Sequence, residues 1–234
     1  MPFYQSHGSI PKKRHTVFKN ANDQILYEEL VSRNGFSHIY TNLYHLKMPT
    51  NIKKIGNYKK LSYSQSNSKH TAKHFMTKNI KSSGNSQESR KLLLYNNDLL
   101  IYKSHISDSS IEFYRNGHYD ELYYIQDGSG ELCTNFGLLK YRKGDYIIVP
   151  RGVIYKFNIV KKTKALLIES ISPIETPSKY RNKLGQLLEH SPYCERDIKV
   201  PVLQEPEEQE GDFIVNVRLI DGIQSYIYKN HPFD

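Results

Sequence analysis

Between residues 91 and 172 the chain breaks into short apolar runs separated by turn signals, and this spacing constrains the fold more than any other feature. Gly128-Ser129-Gly130, Asn135-Phe136-Gly137, Lys143-Gly144-Asp145 and Pro150-Arg151-Gly152 leave runs too brief for helices. The runs predict strands over 111–114, 121–125, 131–134, 138–141, 146–149, 154–159 and 165–171. Residues 92–95 and 99–102 flank Asn96-Asn97-Asp98, which reads as a hairpin. Many of the nineteen tyrosines alternate with Ile, Leu and Val, as half-buried strands require. Many short strands with regular turns predict an all-β antiparallel barrel or sandwich, not a βαβ fold.

The flanking segments read differently. Residues 1–50 form an irregular N-terminal arm with one helical stretch over 25–31, capped by Asn22-Asp23 and ended by Asn34-Gly35. Residues 51–90, rich in Ser, Asn and Lys without an apolar period, read as a basic low-complexity loop, partly disordered. Beyond the barrel, 173–234 reads as a linker with a short helical piece near 184–189, an acidic loop from Glu205 to Glu210, and a hairpin. That hairpin pairs 213–220 with 223–228 across Asp221-Gly222 and reads as the start of a truncated second barrel. Phe213, Val215, Val217 and Leu219 would give it an apolar face for the second barrel to cover; left bare, that face would drive self-association.

The net charge of +9 raises the question of nucleic acid. Residues 51–90 carry nine Lys and Arg against Glu88 alone, whereas the rest of the chain has 24 basic and 23 acidic residues. The charge therefore belongs to one segment, where Tyr58, Tyr63 and Phe75 are too sparse for base stacking and no nucleic-acid motif occurs. A solvated basic loop is the expectation, with no nucleic-acid partner. Cys133 and Cys194, without a CxxC pair, argue against a disulfide framework or a cysteine zinc site and favour a reducing cytoplasm. No apolar run approaches the roughly 20 residues of a membrane helix, and residues 1–14 lack a signal-like apolar core.

Asp120-Glu121-x6-Gly128, followed by Gly144-x5-Pro150-x-Gly152, matches the skeleton of the two cupin motifs. A metal-binding cupin needs His-x-His ahead of the Glu and another His after the Pro-x-Gly. Here Arg115 and Gly117, or Tyr114 and Asn116, stand at the first pair, and Tyr155 stands at the later position. Iron sites want two imidazoles and a carboxylate on one face, so the expectation is a degenerate, jelly-roll-like cupin barrel without its metal. His118-Tyr119-Asp120 with His190 offers the pattern of a facial triad, but in a turn where His and Asp ordinarily face solvent. His70 and His74 have an i,i+4 spacing without the glutamate of HExxH. Glu121, Tyr155 and His118 remain as candidates for a vestigial pocket; the plainer reading has Glu121 ion-paired at the barrel rim and Tyr155 packed in the core.

Several blocks in order carry a family signal. These are Gly8 to Thr16, Tyr44-His45 with Pro49-Thr50, and Asn96-Asn97-Asp98. Asp120-Glu121 through Gly130, Phe136-Gly137, Tyr141 to Tyr146 and Val149 to Gly152 continue it. Leu184 to Asp197 and His231-Pro232-Phe233-Asp234 complete it. Together they resemble homogentisate 1,2-dioxygenases from end to end, most weakly across 51–90. The resemblance implies a cytoplasmic non-haem Fe(II) enzyme that opens the ring of homogentisate with O2 in tyrosine and phenylalanine breakdown, as a homo-oligomer. In that family the iron ligands, two His and one Glu, and a catalytic base His lie in a second, C-terminal cupin. No position here matches them, so the resemblance assigns this chain no catalytic and no metal residue and implies a truncated, inactive form. The alternative is a non-catalytic cupin remnant serving as a scaffold or binding module.

Overall fold

The structure, a computed structural model, describes residues 17–33, 35–36, 40–65, 69 and 71–234. Among these there is no α-helix, only three single-turn 3-10 segments and twelve strands. The all-β fold predicted from the turn spacing is the fold observed. Its centre is a pair of long antiparallel strands, β7 (Asp120–Thr134) and β10 (Ile154–Ser170), which face each other from Asp120↔Ser170 to Thr134↔Tyr155. Each was expected as two separate strands. Both run through their midpoints because register shifts between Ile159 and Ala165 take up the bend without breaking the pairing. Gly128 sits at that bend with φ +101°, and a Cβ there would lie 2.5 Å from Thr163 Cα.

Other strands close around this pair. On the far edge of β7, β9 (Tyr146–Val149) pairs with its first half and β8 (Gly137–Arg142) with its second. The other edge of β10 is shared by β5 (Leu99–Ile106), which continues to β4 (Lys91–Tyr95), and by the short β6 (Phe113–Asn116). Alternate side chains of β5, β7 and β10 turn inward, as a pleated strand dictates. The resulting core is unusually phenolic: Tyr102, Tyr114, Tyr123, Tyr141 and Tyr155 pack with Phe157, Ile106, Ile125 and Leu167. Phe157 is the hub, with ring centroids of Tyr123, Tyr141 and Tyr155 at 5.3, 5.6 and 5.8 Å in edge-on arrangements.

The hairpin expected to await a second barrel is instead part of this sheet. β11 (Glu210–Arg218) runs parallel to β6, with Val215 opposite Phe113 and Val217 opposite Arg115. Most of its face is covered: Val215 is fully buried against Phe113 and Ile154, with Phe213, Val217, Tyr228 and Phe233 packed around them, while Leu219 stays exposed. β12 (Gly222–Asn230) then pairs with β3 (Ile52–Lys60), inside the segment expected as a loop. β3 lacks an apolar period for a physical reason. It is an edge strand largely exposed on both faces, and register shifts against β12 disrupt any strict alternation. The helix expected over 25–31 is also a strand, since β1 (Tyr27–Ser32) pairs residue for residue with β2 (Tyr40–His45). The piece near 184–189 is a turn closed by an Arg181–Leu187 bridge. Asn34, and the resemblance block from Gly8 to Thr16, lie outside the described residues.

Candidate functional site

The barrel interior is a buried ionic network centred on Arg90. The turn that delivers it is fixed by Asn85, whose side-chain oxygen accepts from the backbone N–H of Gln87 and Glu88 at 2.9 and 3.1 Å. Arg90 Nε donates to the Ser86 carbonyl at 3.0 Å, which aims the guanidinium inward. There Nη1 donates to Glu169 Oε1 at 2.7 Å and to Tyr114 Oη at 3.1 Å. Nη2 donates to Tyr123 Oη at 2.8 Å and to Tyr155 Oη at 3.1 Å. Glu121 Oε1 lies 2.8 Å from Nη1 as an ion pair without hydrogen-bond alignment, while its Oε2 accepts from Tyr155 Oη at 2.5 Å. Asn116 Nδ2 and Tyr102 Oη donate to the two oxygens of Glu169 at 3.2 and 3.1 Å.

The electrostatics follow from enclosure. Burial opposes the Arg90 charge, but Glu121 and the surrounding phenols outweigh it and hold the guanidinium even more firmly protonated than usual. Burial raises the Glu169 carboxyl, with the Arg90 charge opposing. Tyr114, Tyr123 and Tyr155 are pushed up chiefly by burial, so they remain neutral hydrogen-bonding phenols. This donor set does not fit the two imidazoles and one carboxylate of an iron(II) site: the groups around Glu121 are phenols and a cation, and Arg90 lies between the carboxylates. Among the described residues no three His, Cys, Asp or Glu side chains cluster as a metal would require.

Of the three candidate pocket residues, Glu121 and Tyr155 are brought together, in the core and not at the rim. His118 is apart from them, edge-on to Tyr119 at 4.5 Å. Its intended triad partner Asp120 is engaged otherwise: Arg151 Nε lies at 3.0 Å, Arg33 Nε at 3.5 Å, and the Ile174 N–H donates at 3.0 Å. His74 is exposed, and His70 lies outside the described residues. Arg90, Glu169 and Arg218 were not singled out from sequence. Arg218 Nη2 donates to Tyr63 Oη at 3.3 Å, and the Tyr63 and Tyr102 hydroxyls are 3.2 Å apart, so a hydrogen-bonded chain runs from Arg218 through the two phenols to Glu169.

Tyr63 also lines an open cavity of about 320 Å³ at the barrel mouth, with Tyr95, Leu100, His118, Tyr119 and Ile171. Burial and then the charges of Arg151 and Arg218 lower the His118 pKa, so its ring is neutral at physiological pH. A second cavity, of about 20 Å³, holds no more than a water. Beside it His45 Nε2 lies 3.0 Å from Glu29 Oε2, and Nδ1 lies 3.0 Å from Asp234 Oδ1.

No family model matches the chain. It is 36% identical over 236 aligned positions, along its whole length, to a Saccharolobus solfataricus protein named "Putative dioxygenase", and it spans 61% of that protein. Among solved structures, a conserved protein of unknown function from Streptococcus pyogenes aligns over 49% of this chain and 98% of its own, at 18% identity and TM-score 0.36. A cupin-2 domain protein from Shewanella frigidimarina aligns over 35% and 79%, at 17% identity and TM-score 0.32. A cupin superfamily protein from Desulfitobacterium hafniense aligns over 36% and 76%, at 19% identity and TM-score 0.32. The similarity to the Saccharolobus protein thus takes in the whole of this chain but less than two thirds of that protein's length. No helix among the described residues is long and apolar enough to cross a membrane.

Proposed function

We propose that this chain is the metal-free barrel of a homogentisate 1,2-dioxygenase-like protein, and that these 234 residues by themselves neither hold iron nor cleave the ring. The observation that carries the reading is Arg90 between Glu121 and Glu169. An internal guanidinium supplies the positive charge at the barrel centre and saturates the one carboxylate that the cupin motif provides. The similarity of the whole of this chain to 61% of the Saccharolobus protein, and the ordered sequence blocks, support the lineage. In this reading the barrel is a rigid platform, and Fe(II), O2 and homogentisate meet on residues outside it. A scaffold or binding role without any ring cleavage is the second reading, favoured by the same saturation of the carboxylates.

Metal analysis and oxygen uptake test both readings. The purified chain, loaded anaerobically with Fe(II) and desalted, is expected to retain far less than one iron per chain and to consume no O2 on adding homogentisate. Retention of one iron with homogentisate-dependent oxygen uptake would overturn the proposal. Uptake that appears only on adding the segment of the Saccharolobus protein that this chain does not match separates the platform reading from the scaffold reading.

A further inference from the structure

We infer that the open edge of β3 is a docking site for an extended protein segment in which acidic and apolar residues alternate, added to the sheet as one more strand. The inference is independent of the ring-cleavage reading, since it needs neither iron nor oxygen.

The backbone supplies the first argument. β3 is the terminal strand of the ten-stranded sheet, and among the described residues no strand pairs with its far side. Successive residues of a strand turn their N–H and C=O groups to alternate edges, so roughly half of the nine residues of β3 offer theirs to the open side. Capture of an extended peptide by such main-chain groups is a general mode of recognition.

The side chains select the kind of strand. Cross-strand partners share a face of a sheet, and Ile52, Ile55 and Tyr58 stand opposite Tyr228, Tyr226 and Gln224, every second residue of β12. The two register shifts thus bring residues spaced by three onto one face of β3. These three side chains are 40%, 65% and 45% exposed, an apolar ribbon at the sheet margin. The other face carries Lys54 and Lys59, opposite Ile227 and Ile223. Lys53 is engaged by Asp212 at 2.6 Å, whereas Lys54 and Lys59 have no carboxylate partner among the described residues. An added strand therefore meets apolar side chains on one face and cations on the other, and alternating acidic and apolar residues satisfy both.

Charge also rejects the other occupants. Two copies of β3 laid edge to edge would set lysine against lysine, the usual guard of an edge strand against adding to itself. To an acidic strand the same lysines are attractive, so the repulsion that excludes one partner recognises another. A nucleic acid would engage the lysines and leave the backbone groups and both isoleucines unused.

Calorimetric titration of the full 234-residue chain with an end-blocked peptide of alternating Glu and Val, about nine residues long to match β3, tests this. The expected result is saturable 1:1 binding, roughly tenfold or more weaker when the same Glu and Val residues are grouped in separate blocks. Amide exchange should slow within 52–60 on binding. The double variant Lys54→Glu, Lys59→Glu should bind the Glu/Val peptide roughly tenfold or more weaker and take up a Lys/Val peptide instead, a reversal that an unfolded variant would not show. Ile55→Ser, at an exposed position, should weaken the Glu/Val peptide while leaving the thermal transition in place. Equal binding of the grouped peptide, protection gained elsewhere than β3, or no reversal would overturn the inference. So would an oligothymidylate that binds this edge as tightly as the peptide, or dimerisation of the chain that blocks the peptide, which would make a second copy the occupant.

Discussion

Glu121 on β7 and Glu169 on β10 are direct cross-strand partners, and both side chains are enclosed in the barrel core. Like charges opposite each other destabilise a sheet, and burial makes the repulsion worse. Arg90 resolves the conflict by lying 2.8 and 2.7 Å from the two carboxylates. One residue outside the barrel strands thus permits an otherwise unfavourable pairing at the centre of the fold.

Arg90→Met should therefore destabilise the chain by about 3–5 kcal/mol, the usual cost of stranding a buried charge. The double change Arg90→Met, Glu121→Gln should recover part of that loss, because it removes one cation and one carboxylate together and leaves Glu169 with Arg218, 4.0 Å away. Urea denaturation of the three forms measures it. A loss below about 1 kcal/mol in the single variant would mean that water, not Arg90, balances the carboxylates.

His45 predicts a pH-dependent anchor for the β1–β2 hairpin. Burial lowers its pKa, but hydrogen bonds and charge from Asp234 and Glu29 together outweigh this and raise it to about 9. A folded-state pKa above the ordinary 6.5 stabilises fully below pH 6.5 and loses that stabilisation as pH rises through about 9. Amide exchange in residues 27–32 and 40–45, corrected for intrinsic rate, should accelerate across that window, and His45→Gln should flatten the dependence. Unchanged protection between pH 6.5 and 9.5 would contradict the ion-paired geometry.

The sequence announced the barrel but not its contents. Gly137, Gly144 and Gly152 were readable as turns because a positive φ admits little else, and all three have one; Gly128 has one too, but at a bend inside β7 that sequence reading took for a break. Arg90 was not readable: at the end of a Ser- and Lys-rich stretch it resembles every other cation there, and its partners lie on strands far along the chain. Glu121 was singled out, yet its place in the core depends on the Arg90 turn and not on its own motif. Tyr27 to Ser32 became a strand because cross-strand pairing with β2 outweighed a weak local helix preference. β3 escaped notice because Lys53, Lys54, Lys59 and Lys60 suit a solvent-exposed edge as well as they suit a loop.

Two glycines of similar backbone geometry should respond differently to alanine. At Gly128, φ +101° combines with Lys162 O and Thr163 Cα each 2.5 Å from a new Cβ, so the bend itself must shift. At Gly144, φ +91°, nothing lies within 4 Å and only the backbone strain remains, about 1–3 kcal/mol. Gly128→Ala should thus lower Tm clearly more than Gly144→Ala. Equal shifts would mean that the bulge between Ile159 and Ala165 relaxes freely.

The hairpin β11–β12 should unfold with the barrel and not before it. Its parallel pairing with β6 places Val215 opposite Phe113, whose ring meets Phe213, His231 and Phe233 at 6.3, 5.1 and 5.1 Å. Lys156 of β10 covers Phe113 from the barrel side, with Nζ 4.8 Å from the ring centroid. Phe113 is therefore the joint between barrel and hairpin, and Phe113→Ala should cost about 3–5 kcal/mol. Because the joint belongs to one continuous sheet, the loss should appear in a single transition that lowers protection of β10 and β11 amides together. Light scattering of the unmodified chain should show no association driven by Phe213, Val215 and Val217, since that face is already covered by Phe113 and Ile154. If amides of 213–228 instead exchange freely while those of β10 stay protected, the hairpin is docked too weakly to be part of the barrel's folding unit.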